Sequence, residues 1–404
     1  MLLDQSSLEL IPQRGGLGAV PGVRLAGVHA GIKPRKRDLA LIAFEAPQNC
    51  AAVVTTNEIK AAPLLVSSAH LAQSPVMRAL VCNSGCANAC TGERGERDAH
   101  ATARQTAALL GIAPAEVIVA STGVIGVPLP MDRVQRGLER ATAQLDSGGK
   151  SALDAAEAIM TTDRVPKLAA YAFYHRDRKY VVGGIAKGSG MIAPNMATML
   201  AFIATDYPVS AEALAYLLRE SSDESFNMIS VDGDMSTNDA VYAFAPAGSN
   251  GALAPQELAA ALRAVSLDLA RAMIADGEGA TKTLEVRVTE AHDKAQARTI
   301  ARAIINSNLV KTALFGEDPN WGRIVAAAGA ARAGIEPARW SLEINGKPWV
   351  AGGVELLSEA EGHRELEKSD VSVEFRLGLG AAEATGWGCD LSRDYVRINA
   401  NYRT

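Results

Sequence analysis

The chain has 404 residues, 48% of them hydrophobic and 21% charged, with 36 glycines and a formal net charge of −5. That length accommodates two or three ordinary domains around a large apolar core, and the composition excludes disorder and collagen-like repeats. No apolar run approaches the roughly 18 residues of a membrane span. No basic cluster exceeds Lys33-Pro34-Arg35-Lys36-Arg37, so the footprint of a nucleic-acid binder is missing and the patch is expected to be a solvated loop. The N-terminus carries Asp4 and Glu9 and no signal-like leader; a cytoplasmic protein is expected.

In chain order, residues 78–85 read as a strand, 96–112 as a helix and 116–126 as a β-rich stretch containing Ser121-Thr122-Gly123. Two helices follow over 131–145 and 151–163. Residues 167–188 then read as two strands around the polar turn HRDR. The second half opens with the strand MLAFIATD (199–206) and a helix capped by Ser210. Next come a strand over 240–248, a long helix over 255–279, a strand over 281–291 and a helix over about 293–308. A loop at 315–323, a hairpin turning at Asn345-Gly346 and a strand-rich tail complete the chain. The pattern is mixed α/β in two halves that meet near residues 190–200, at an apolar, glycine-bearing crossing where polar linkers are the rule.

Cys82, Cys86 and Cys90 are spaced by four and, with Cys50 and Cys389, match no zinc signature, so buried thiols are expected. The six histidines are scattered, with no nearby ligand partners in sequence. No metal site is expected.

The segment AKGSGMIAPNMATML (186–200) admits three readings. Gly188-x-Gly190-x-x-Ala193 follows a strand, and Asp206 lies 16 residues past Gly190, a loose version of a dinucleotide fingerprint. Against this, Pro194 and a second strand pattern stand where that fingerprint needs a helix. A purely structural reading makes the glycines a turn and the threonine a strand residue. The third reading is an N-terminal nucleophile: cutting Ala197–Thr198 would give Thr198 a free α-amine, pKa about 7.7–8.0, able to serve as base for its own hydroxyl. The chain has no Gly-x-Ser-x-Gly elbow that would offer another nucleophile. Thr122 and Gly123 would supply a hydroxyl and an amide for an oxyanion hole, although alone they are a turn.

Seven blocks in order carry a resemblance: STGVIG (121–126), TTD (161–163), AKGSGMIAPNMATML, VDGDMSTND (231–239), DGEGATK (276–282), NSNLVKTALFGEDPNWGR (306–323) and INANYRT (398–404). Together they resemble the arginine-biosynthetic ornithine acetyltransferase family, also called glutamate N-acetyltransferase, over nearly the whole chain. The resemblance implies self-cleavage between Ala197 and Thr198 into an α chain (1–197) and a β chain (198–404). Thr198 is then the nucleophile, and Thr122 and Gly123 form the oxyanion hole. Lys187 would bind the substrate α-carboxylate and Glu278 the ornithine δ-amine, with Thr161 or Thr162, Asn399 and Thr404 completing the site.

The implied reaction is ping-pong acetyl transfer from N2-acetylornithine to glutamate, with acetyl-CoA as a second donor in bifunctional members and no metal or redox cofactor. The implied fold is the α/β architecture of the self-processing β-aminopeptidases, assembled as an α2β2 heterotetramer. Arg164 stands where a smaller residue is expected after TTD, and Cys86 where asparagine is expected. A self-processing aminopeptidase or amidase on the same scaffold is the main rival; a dinucleotide-binding protein is the weaker one.

Overall fold

The computed structural model describes residues 9–193, 199–248 and 254–401. Its architecture is mixed α/β, as the alternation of patterns implies, and is organised on two sheets. The larger has nine strands in the order Ile11–Pro12, Lys167–His175, Arg178–Lys187, Leu200–Thr205, Ala240–Pro246, Leu39–Val54, Val76–Cys86 and Val117–Val124, with Val23–Val28 paired beside Leu39–Val54. Leu200–Thr205 runs parallel to Ala240–Pro246, and Val76–Cys86 parallel to Val117–Val124.

Strands apolar at every position belong in sheets covered on both faces, and successive side chains here enter different cores. Ala201, Ile203, Val241 and Ala243 pack with Leu214 and Leu218 of helix Ala211–Glu224 and with Val265 and Leu269 of helix Gln256–Ala275. Leu200, Phe202, Tyr242 and Phe244 face the other way, into a cluster with Ala152, Ala155, Ala156 and Ile159 of helix Gly149–Ile159. The long strand Leu39–Val54 shifts register between Ala43 and Gln48, where Glu45, Ala46 and Pro47 are exposed. A bulge there bends the strand, and its first half packs with helices Ala62–Gln73, Gly92–Leu110 and Met131–Ala143.

The smaller sheet has seven strands, ordered Val354–Glu355, Lys347–Ala351, Ser341–Ile344, Asp370–Arg376, Thr283–Ala291, Ala382–Cys389 and Ile229–Ser230. Its strands alternate: Val371, Val373 and Phe375 are buried beneath Ile300, Ile304 and Ile305 of helix Lys294–Asn306. Residues 231–239 therefore run from the last strand of the small sheet to the middle of the large one. So the fold divides by sheet, and strands on both sides of residue 198 share the larger one.

Four sequence expectations need correction. Of the tail stretch 394–404, expected as strand, the described part belongs to helix Arg393–Asn401; helical spacing puts Tyr395 and Asn399 on one face, where each reaches an acid described below. Trp321–Ala330 is a helix, so Trp321, Gly322 and Arg323 leave the expected loop. The basic patch is only partly solvated. Lys33 donates to Met160 O at 2.9 Å, burial brings its ammonium down to about 8, and Arg37 pairs with Asp154 and Glu157. Four cysteines are buried and Cys90 is exposed.

Because Phe202 is fully buried between the layers, Phe202→Ala should cost about 3–5 kcal/mol. Tyr216, 62% exposed, should tolerate alanine within about 0.5 kcal/mol. Urea unfolding midpoints of the two variants check this.

Candidate active site

The ends of several elements converge where the two sheets meet. Lys187 is the last residue of strand Arg178–Lys187, and Thr122 and Gly123 lie near the end of Val117–Val124. Thr161 and Thr162 follow helix Gly149–Ile159, Glu278 follows helix Gln256–Ala275, and Asn399 projects from Arg393–Asn401. All seven line one cavity of about 270 Å³, near the small end of the range for ligand sites. Ala197, Thr198 and Thr404 lie outside the described residues.

Lys187 is 2% exposed, which rules out a surface ion pair for it; its ammonium donates to Thr122 Oγ1 at 3.4 Å. Glu278, also buried, accepts from Asn399 Nδ2 at 2.8 Å. Its own N–H donates to Ser189 O at 2.7 Å. Thr162 Oγ1 pairs with Ser189 Oγ at 2.8 Å. The cavity thus carries a cation next to a threonine hydroxyl, and a carboxylate next to an amide.

Two glycines are required by contact. Gly123 has φ +127°, and a Cβ there would lie 2.5 Å from the Gly85 carbonyl carbon. Only glycine fits this close approach of the two strands. A Cβ on Gly190 would lie 2.4 Å from Glu278 Cδ, so glycine lets the loop pass directly over that carboxylate.

The site is braced by buried charge. Lys167 Nζ sits 2.7 Å from Asp163 Oδ1 and 2.6 Å from Asp276 Oδ2. Asp163 also accepts from Gly188 N at 2.7 Å and Thr161 N at 3.0 Å. Burial works against the Asp163 carboxylate, but Lys187 and Lys167, with the Gly188 N–H, outweigh it and hold the carboxyl down to about 2. Arg164 points to Asp276, 3.0 Å away, and does not line the cavity, so its departure from the expected pattern leaves the TTD threonines in place. Cys86 contributes its carbonyl, which accepts from Asn83 Nδ2 at 2.8 Å, while its buried thiol is pushed up by desolvation.

Four residues were given no role on sequence grounds. Asp232 accepts from Met191 N at 2.6 Å and Ile192 N at 2.8 Å, and from Tyr395 OH at 3.2 Å. Asn238 Nδ2 donates to Ser121 O and Ala87 O, both at 2.8 Å. Asp239 Oδ1 accepts from Met199 N at 2.8 Å. VDGDMSTND was legible as a block, and its density of Asp, Asn and Ser is the signal that could have marked it as a hydrogen-bonding loop. Tyr395 gave no sequence signal, because its neighbourhood reads as strand.

The dinucleotide reading fails on topology. Strands Arg178–Lys187 and Leu200–Thr205, on either side of Gly188 and Gly190, are antiparallel neighbours, whereas that fingerprint needs a parallel βαβ unit. His363, expected to lack ligand partners, has Nε2 3.8 Å from both Glu317 and Glu367. This exposed group lies away from the cavity, and Glu317 is already paired with Lys282 at 2.9 Å.

Removing the Lys167 charge would leave two buried carboxylates without their shared cation, so Lys167→Met should destabilise the fold by about 3–5 kcal/mol. The folded pKa of Asp163 lies below its ordinary value of 3.8. Its contribution to stability is therefore present above that value and lost as pH falls through about 2. Thermal unfolding between neutral pH and the acid limb should show Asp163→Asn with a shallower acid loss than wild type.

A model of the ArgJ family matches residues 24–404. The arginine biosynthesis bifunctional protein ArgJ of Symbiobacterium thermophilum is 48% identical over 400 residues, 96% of this chain and 99% of that one. Its counterpart in Geobacter sulfurreducens is 48% identical over 395 residues, 95% of this chain and 100% of that one. A solved ornithine acetyltransferase from Mycobacterium tuberculosis, complexed with ornithine, is 43% identical and covers 46% of this chain and 98% of that one at a TM-score of 0.43. With a family model reaching the C-terminus and relatives nearly half identical from end to end, the chain belongs to the ArgJ family, the arginine-biosynthetic ornithine acetyltransferases that its seven blocks resemble.

Proposed function

We propose that this ArgJ-family enzyme moves an acetyl group from N2-acetylornithine to glutamate through an acetyl ester on Thr198. The hydroxyl oxygen adds to the acetyl carbonyl, its proton passing to the threonine's own α-amine. The C–N bond then breaks, and that proton leaves with ornithine's amino group. Glutamate's amine attacks the ester and the C–O bond breaks. Thr198 Oγ recovers a proton, and N-acetylglutamate leaves. Thr122 Oγ1 and the Gly123 amide would meet the oxyanion in both halves, where loss of one donor typically costs about 10²–10³ in rate.

The observation that carries this reading is the pair of opposite charges in one small cavity. Lys187 suits the α-carboxylate common to both amino acids, and Glu278 suits ornithine's δ-ammonium. Thr161, Thr162 and Asn399 line the same space, and Thr404 belongs to the proposal as a further substrate contact. Acetyl-CoA as a second donor fits the word bifunctional in the relatives' names. The chemistry needs neither metal nor redox cofactor.

Maturation by a cut between Ala197 and Thr198 is part of the same proposal, as is assembly of the two chains into an α2β2 heterotetramer in the cytoplasm. One physical feature makes a cut tolerable. Leu200–Thr205 is hydrogen-bonded on one side to Arg178–Lys187 and on the other to Ala240–Pro246. A new N-terminus two residues before it would stay anchored in the sheet, and chains 1–197 and 198–404 would remain joined by strand pairing.

An amidase on this scaffold would release acetate to water. With labelled N2-acetylornithine, transfer should therefore depend on glutamate, and Thr198→Ala should stay uncut, folded and inactive. Acetyl transfer by Thr198→Ala, or release of acetate regardless of glutamate, would contradict the proposal.

A further inference from the structure

We propose that Lys33 is a positioning residue for this site: its side chain ties the turn bearing Thr161 and Thr162 to the strands behind Gly123, and its ammonium reinforces Lys187 at the cavity's positive end. The inference rests on the reading that Lys187 receives the substrate α-carboxylate. It goes beyond that reading by assigning a role to a half-buried cation that does not line the cavity and belongs to none of the seven sequence blocks.

Lys33 leaves the loop between strands Val23–Val28 and Leu39–Val54, and that loop is held from inside. Asp38, fully buried, accepts from the N–H groups of Ala30, of Gly31 at 3.0 Å and of Lys33 at 2.8 Å, so the backbone that launches the side chain is fixed. The stem then crosses Gly85, where a Cβ would lie 2.7 Å from Lys33 Cγ. Gly85 is the register partner of Gly123, at the close approach described above. The ammonium ends on Met160 O, 2.9 Å away and one residue before Thr161. Ser84 Oγ donates to Ala158 O at 2.6 Å, which joins strand Val76–Cys86 to the end of helix Gly149–Ile159. Lys33 carries that tie forward to the residue that opens the threonine turn.

Charge adds a second effect. The groups facing Lys33 come from four elements. Asp38 and Lys36 belong to its own loop, with His29 behind Asp38 at 3.4 Å; Asp163 comes from the TTD turn and Lys187 from the end of strand Arg178–Lys187. On strand Val76–Cys86, Cys82 is a buried thiol pushed up to about 12 by desolvation, hence uncharged. Burial is the main reason that the Lys33 ammonium is brought down to about 8; Asp38 and Asp163 oppose it, while Lys36 and Lys187 add to it. Below that pH, an α-carboxylate beside Lys187 is attracted by both ammoniums. Above it, one of the two cations is gone, and the tie to Met160 O weakens from a charge-assisted hydrogen bond to an ordinary one. Lys33 makes and breaks no bond in turnover; it holds the wall and the field in which substrate sits.

The test uses Lys33→Met and Lys33→Arg in the full chain, with turnover normalised to the cut fraction read by intact mass and KM for N2-acetylornithine followed from about pH 6.5 to 9. Wild-type KM should rise about 3- to 10-fold as pH passes about 8, the scale of one partly screened charge. Lys33→Met should show the raised KM at every pH, without that step. Lys33→Arg, charged throughout, should keep the low KM on the alkaline side. The Thr198 α-amine titrates in the same range, but it is common to all three proteins and acts on kcat. A wild-type KM that stays constant across the range, or the same step in wild type and Lys33→Met, would overturn the proposal. If Lys33→Met does not fold, wild type against Lys33→Arg decides: a step that survives in Lys33→Arg overturns it. Failure of the underlying reading looks different, because wild type would then take N2-acetylornithine no better than the analogue without its α-carboxylate, at any pH.

Discussion

The Lys167 ammonium, buried between Asp163 and Asp276, is the interaction on which the site's geometry depends. Each carboxylate it neutralises also organises backbone: Asp163 takes the N–H groups of Thr161 and Gly188, and Asp276 takes that of Arg164. A single cation therefore sets the relative positions of the TTD turn, the glycine-bearing loop and the DGEG turn, three blocks far apart in sequence. Buried ion pairs seldom add much net stability, because desolvation consumes most of the attraction. Their value here lies in register: when the cation is present, Thr162, Lys187 and Glu278 face one space.

Around that brace the two sheets take different parts. The larger, apolar on both faces, is the rigid support that ends in Lys187 on one strand and Thr122-Gly123 on another. The smaller sheet delivers the residue 231–239 segment through Ile229–Ser230, and Ala382–Cys389 leads on to the helix bearing Tyr395 and Asn399. The candidate site lies where turns from both meet, so its cavity walls are loops and strand ends while their placement is fixed by strands and buried charge.

Much of the fold was legible in the sequence because its signals are local. The wholly buried strand LAFIAT, the Ser210 cap, whose hydroxyl accepts from Ala213 N at 3.3 Å, and the Asn345-Gly346 turn each follow from a few neighbouring residues. The tail was not legible. Its helix is held by Tyr395 reaching Asp232 and Asn399 reaching Glu278, contacts across more than a hundred residues that no local pattern encodes. The candidate site divides the same way. Lys187, Glu278 and Thr122 were found through the ordered blocks they sit in, whereas nothing in the spacing of Lys167, Asp163 and Asp276 announces that they meet. The basic patch misled for a related reason: a lysine stem packs well beneath a helix end when a carbonyl such as Met160 O can take its charge.

The proposed function turns on this chain making its own catalytic terminus at Thr198. Intact-mass analysis of the purified 42.3 kDa chain, before and after brief exposure to N2-acetylornithine without glutamate, addresses it most directly. The expected result is two fragments, one beginning at Thr198, and an added acetyl group on that fragment alone. A single uncut chain, or an acetyl group carried elsewhere, would contradict it.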